Sequence, residues 1–132
     1  MNILVFGNPD YPQDNVAIEV SEKLSDIPSI SFQYINPNSD LPVSENKCIY
    51  ILDTVMGINT ITLFTDKDID KLVLSPRTTT HDYDLGFQLK YLSKIGRLKS
   101  VHIIGLPYKG KVDYVLVRSI LRKLVAQDIQ GS

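Results

Sequence analysis

Three short segments, made almost entirely of apolar residues, constrain the fold of this chain most. They are Ile3–Phe6, Lys47–Leu52 and Val101–Leu106. A strand with one face in water alternates apolar and polar side chains, whereas a parallel strand covered on both faces is apolar throughout. These segments therefore predict buried strands of a parallel sheet.

Amphipathic segments separate these strands and predict the helices that cover them. Apolar residues recur at helical spacing from about Asp14 to Asp26, from about Asp84 to Ile95, and from Val112 to Ala126. Strands that alternate with such helices are typical of an α/β domain whose mostly parallel sheet is covered on both faces. A chain of 132 residues is long enough for one core, so we expect a single domain over residues 1–130.

Two further segments predict strands nearer the margins of the sheet. Ile30–Ile35 alternates apolar and polar residues, as an edge strand does. Thr60–Phe64 is rich in β-branched residues, and its short connection to the third strand predicts an antiparallel neighbour.

Charge and composition favour neither a nucleic acid nor a membrane as partner. The formal net charge is -1, and the longest apolar runs are too short to span a bilayer. The first residues, Met1–Phe6, contain no basic leader, so we expect a cytoplasmic protein. The single cysteine, Cys48, excludes an internal disulfide and is expected to be buried and inert because it lies in an apolar run.

Three polar residues are candidates for one site at the carboxyl edge of this sheet. Asp14 follows the first strand, Asp53 is expected to terminate the third, and His81 precedes a predicted helix. Ligands of open α/β sheets bind beyond the carboxyl ends of the strands, near a topological switch point. Two carboxylates and an imidazole suit a metal ion that is neither very hard nor very soft, such as nickel or zinc. Three protein ligands leave coordination positions open for water or a substrate group.

Each of these residues also has an ordinary structural interpretation. Asp14 could cap the first helix, Asp53 could be a turn residue, and His81 could be a solvated loop residue. The other histidine, His102, lies inside an apolar strand and is interpreted as a satisfied sheet residue rather than a ligand. An acid at the end of a buried parallel strand is nevertheless a common functional position, and spatial proximity of the three candidates would favour the site.

Five segments resemble one protein family over most of the chain. They are Ile3–Asn8, Asp14, Leu52–Gly57, Thr79–Gly86 and Val101–Pro107. The family is the hydrogenase maturation endopeptidases, which remove a C-terminal extension from the large-subunit precursor of nickel–iron hydrogenases. The resemblance implies a three-layer α/β/α sandwich around a mostly parallel five-stranded twisted sheet with one antiparallel strand.

The same resemblance implies the roles of the candidate residues. Asp14, Asp53 and His81 match the trio that recognises nickel, so they are the expected catalytic and metal-binding residues of an aspartic-type endopeptidase. The nickel would be carried by the substrate, the hydrogenase large-subunit precursor, with no tightly bound organic cofactor. Either the metal would polarise the scissile carbonyl or a carboxylate would activate water.

Two departures from the family pattern indicate a divergent member, and the first of them motivates an alternative. Many members carry Asp-Asp/Glu-Gly where this chain has Gln13-Asp14-Asn15, and a common glycine is replaced by Ala17. The alternative is a non-catalytic homologue that binds a metal-loaded partner without cutting it.

An unrelated class, the phosphoacceptor receiver domains, shares part of this layout. Such a domain also has an aspartate at the end of its third strand, as Asp53 would be, and a lysine near a proline after the fifth. It needs an acidic pair after the first strand to hold magnesium, whereas Gly7-Asn8-Pro9 stands there. A dinucleotide site is disfavoured because no Gly-x-Gly-x-x-Gly follows that strand.

Overall fold

The computed structural model contains a five-stranded sheet. The residues that the structure describes are 1–6, 16–35, 47–55, 57–65, 67–68, 98–107 and 111–130. The strands of the sheet are β1 (Asn2–Val5), β2 (Ser31–Tyr34), β3 (Lys47–Val55), β4 (Thr62–Thr65) and β5 (Leu98–Pro107). Their spatial order is β2-β1-β3-β5-β4. All neighbours are parallel except β4 and β5, so the predicted mostly parallel sheet with one antiparallel strand is confirmed.

The three apolar segments form the centre of this sheet, as predicted. Ile3 on β1, Ile51 on β3 and Ile103 on β5 are each 0% exposed. The alternating segment forms β2 at one edge, which confirms its predicted position.

The fourth strand has the predicted antiparallel orientation but a different neighbour. β4 pairs with β5 and not with β3, which precedes it in the chain. β5 lies between them because its long parallel pairing with β3, from Lys47↔Leu98 to Val55↔Pro107, leaves its other edge for β4.

Two helices in the described residues, α1 (Val16–Lys23) and α2 (Tyr114–Gln130), cover one face of the sheet. Their apolar stripes share one core cluster with alternate residues of β1, β3 and β5; the cluster includes Ile3, Val5, Val20, Leu24, Leu52, Ile104, Val117, Leu121 and Leu124. An ion pair of 3.4 Å joins Arg118 of α2 to Asp26, just after α1. The predicted helix at 84–95 lies outside the described residues, so the second helical layer stays a prediction.

The last helix begins two residues later than its apolar pattern indicates because Asp113 caps it. The Leu116 N–H donates to Asp113 Oδ1 at 3.1 Å, and the Val117 N–H donates to the Asp113 carbonyl at 3.0 Å. An aspartate at this position satisfies N–H groups that have no partner within the helix. Within the described ranges, no helix combines the length and the apolar character that crossing a membrane requires.

The interpretation of Cys48 as a buried thiol is wrong, because Cys48 is exposed. It lies near the amino end of β3, two residues before Tyr50, where the pairing with β1 begins. The apolar run therefore extends past the covered part of the sheet.

His102 is a sheet residue, as expected, but its ring is not fully satisfied. It stacks on the Tyr50 ring of the neighbouring strand, with ring centroids 5.1 Å apart and planes inclined by 13°. Its Nδ1 atom is buried and has no hydrogen-bond partner among the described residues.

Replacing His102 with Phe should raise the free energy of unfolding by about 1 kcal/mol, because phenylalanine keeps the stacking on Tyr50 and removes an unsatisfied buried nitrogen. Urea unfolding at neutral pH measures this change. A loss of stability would show that the imidazole makes a stabilising polar contact in solution.

Candidate functional site

The strand order places a topological switch point between β1 and β3. The chain runs from β1 to β2 on one side and later enters β3 on the other side of β1. Crevices at the carboxyl edge between two such strands are the usual ligand sites of open α/β sheets. Asp53 lies at this edge, one residue beyond the register pair Val5↔Leu52.

Phe6 continues the contact between the two strands at this point. Its N–H donates to the Leu52 carbonyl at 3.1 Å, so the chain leaves β1 beside Asp53. The following residues, 7–15, contain Asp14 and lie outside the described part of the chain.

Asp53 does not terminate its strand, contrary to the prediction. β3 continues through Val55 because β5 pairs with it to the end, with Asp53 opposite Gly105 and Val55 opposite Pro107. Asp53 therefore cannot be a simple turn residue, which was its ordinary structural interpretation.

The Asp53 side chain is an unusual feature for a sheet interior. It is 0% exposed, and its Oδ1 accepts the N–H of Thr54 at 2.8 Å. Taking a carboxylate out of water is unfavourable by several kcal/mol unless hydrogen bonds or a cation compensate it. Buried carboxylates at a ligand-binding edge are therefore candidates for function.

Asp53 points to the face of the sheet opposite α1 and α2. Tyr50 and Leu52 belong to the cluster that the helices cover, and side chains alternate along a strand, so Asp53 and Val55 face the other way.

Gly105 is a neighbour of Asp53 that the sequence reasoning did not single out. A Cβ atom at this position would lie 2.7 Å from Phe64 Cε2 and 2.9 Å from Val55 Cγ2. The missing side chain therefore allows Phe64 and Val55 to pack beside Asp53. A glycine within an otherwise apolar strand is the signal that could have identified it, because such glycines mark close approach of another group.

The other two predicted ligands, Asp14 and His81, lie outside the described residues. Their distances from Asp53 therefore stay predictions. Among the residues that the structure does describe, no three His, Cys, Asp or Glu side chains form a group that could hold a metal ion.

One solved structure shares this architecture over the whole chain. It is the hydrogenase maturating endopeptidase HybD from E. coli, with a TM-score of 0.63 and 15% sequence identity. The superposition covers 100% of this chain and 94% of that one. The chain has the fold of a hydrogenase maturation endopeptidase.

The hydrogenase maturation endopeptidase fold agrees with the resemblance of the sequence segments. No family model matches the chain, and no curated protein matches it. The receiver-domain alternative is wrong in its topology, because a receiver sheet has the order 2-1-3-4-5, whereas here β5 lies between β3 and an antiparallel β4.

Replacing Gly105 with Ala should lower the free energy of unfolding by about 1–3 kcal/mol, because the new methyl group collides with Phe64 and the buried Val55. Chemical denaturation measures the loss. Adding Phe64→Leu to the same chain should recover part of it, since leucine lacks the ring atom nearest the methyl group. Strictly additive effects of the two substitutions would exclude the collision as the cause.

Proposed function

We propose that the protein is an endopeptidase that removes the C-terminal extension from the large-subunit precursor of a nickel–iron hydrogenase after nickel insertion. It would act in the cytoplasm and recognise the nickel that the precursor carries. The observation that carries this proposal is the position of Asp53, a buried carboxylate at the switch point of a sheet with the HybD fold.

The proposal assigns one task to Asp14, Asp53 and His81: binding the substrate's nickel. This contact would hold the precursor so that its scissile bond lies next to the carboxylates, and it would restrict cleavage to precursors that have received their metal. Oxygen and imidazole ligands suit nickel, and three of them leave coordination positions for groups of the precursor.

The burial of Asp53 adds a requirement to this mechanism. Because its side chain is 0% exposed, the precursor must uncover the carboxylate before the two can meet. Binding of the correct substrate would then assemble the site, which is a known route to specificity. Two routes to hydrolysis follow: polarisation of the scissile carbonyl by nickel, or activation of water by a carboxylate.

Replacing Asp53 with Asn should lower the rate of processing about 100-fold or more, because the amide has no charge to offer the metal. Asparagine keeps an oxygen that can accept the Thr54 N–H, so the domain should remain folded. The measurement is the shortening of the nickel-loaded precursor of the same organism's hydrogenase, followed by mass spectrometry, with circular dichroism as the check on folding.

Asp26→Asn is the matched control, because it removes one carboxylate at an exposed position on the helix-covered side. It should process the precursor at the normal rate. Normal processing by the Asp53→Asn variant would contradict the proposed role of Asp53. If the native chain forms a stable complex with the loaded precursor and never shortens it, the non-catalytic binding module is the correct function.

A further inference from the structure

The outer side of α2 carries a groove that the proposed site does not use. Its volume is about 510 Å³, and its described lining consists of Tyr114, Val115, Arg118, Ser119, Arg122, Lys123 and Ala126. These residues recur three and four positions apart, so they form one stripe along the helix. From first to last the stripe is about 18 Å long at 1.5 Å per residue.

Beyond Tyr114, which also packs against the core, this stripe differs from the one that holds α2 on the sheet. Val117, Leu121 and Leu124 are buried in the core, whereas Val115 on the groove side is 81% exposed. The groove also lies on the helix-covered side of the sheet, opposite the face to which Asp53 points.

The charge of the groove is positive although the chain as a whole has a net charge of -1. The lining residues that the structure describes include three cationic side chains and no carboxylate. Arg118 is paired with Asp26 at 3.4 Å. Arg122 and Lys123 are exposed and have no acidic partner in the part of the chain that the structure describes.

The amino-terminal end of the groove adds an apolar element. Val115 is exposed there beside Tyr114, whose ring lies 4.9 Å from Lys23 Nζ. An exposed aliphatic side chain about two helical turns from two cations that have no acidic partner among the described residues matches a ligand that has both an apolar residue and carboxylates.

We propose that this groove binds an acidic segment of a partner protein. An apolar side chain of that segment packs on Val115, and carboxylates further along it pair with Arg122 and Lys123. Charged groups at the rim of an interface mainly steer encounter and select the partner, and the apolar contact adds affinity.

Charge distinguishes this partner from other anionic ones. Nucleic acids bind through many phosphate contacts, and three cations on a chain of net charge -1 do not supply them. Anchoring to an anionic membrane needs a broad apolar face, whereas Val115 is the one large exposed apolar residue in the described lining of the groove.

A synthetic peptide of alternating leucine and glutamate pairs, titrated into the ¹⁵N-labelled full chain, tests the proposal. Amide signals of the groove residues should shift, and the affinity should fall several-fold when NaCl rises from about 50 to 300 mM, because salt screens exposed charges. The same peptide with glutamine in place of glutamate should bind at least about tenfold more weakly.

Two variants locate the contact. Arg122→Glu should weaken binding about tenfold or more. The control Lys67→Glu makes the same change of charge on an exposed residue that is not part of the described groove lining, and it should leave affinity within about twofold. Val115→Ser should weaken binding several-fold and, at so exposed a position, should not unfold the helix.

Four outcomes would overturn the proposal. They are no shift at about 2 mM peptide, shifts confined to residues outside the groove, equal weakening by Arg122→Glu and Lys67→Glu, and tighter binding of a single-stranded oligonucleotide or of phosphatidylserine vesicles than of the acidic peptide. None of these measurements depends on proteolysis, so their failure is distinguishable from failure of the proposed peptidase function.

Discussion

The parallel pairing of β3 with β5 is the constraint on which the rest of the described structure depends. It joins the two longest strands of the sheet, and the matched positions run from Lys47↔Leu98 to Val55↔Pro107. This pairing leaves one edge of β3 for β1 and one edge of β5 for β4. It therefore sets both the antiparallel margin of the sheet and the switch point between β1 and β3.

The same pairing explains the environment of Asp53. Because β5 follows β3 to its last residue, Asp53 is held inside the sheet and not at its end. β1 stops at Val5, so the edge next to Asp53 is where the chain departs toward α1. The absence of a side chain at Gly105 then lets Phe64 and Val55 close around that position. A carboxylate in such a place must be compensated by hydrogen bonds or by charge, and the Thr54 N–H supplies one of these hydrogen bonds.

The sequence predicted the central strands well because their burial on both faces leaves a simple pattern. Ile3–Phe6 is apolar at every position and Val101–Leu106 at all but His102 and Gly105, and only a doubly covered strand needs this composition. It predicted the partner of β4 wrongly, because the pairing of strands distant in sequence depends on the whole sheet and not on the connecting loop. It predicted Cys48 wrongly for a related reason: the apolar run begins before the point where β1 pairs with β3, and Cys48 is exposed there.

By itself, the sequence determined the α/β class, the buried strands and the amphipathic stripes, because each of these follows from local composition and spacing. The three candidate residues of the site were predicted from their places beside the strands and from a family resemblance, and they stay a prediction. Only the tertiary structure decided that β5 separates β3 from β4, that Asp53 is fully buried inside its strand, and that Gly105 is the register partner of Asp53 on the neighbouring strand. The positive groove on α2 was also decided only by the tertiary structure. The periodicity of the helix shows which of its stripes is apolar, but it does not show that the polar stripe lines a groove. Local patterns predict which side chains of a segment are buried, whereas the neighbours that bury them depend on contacts between residues distant in the sequence.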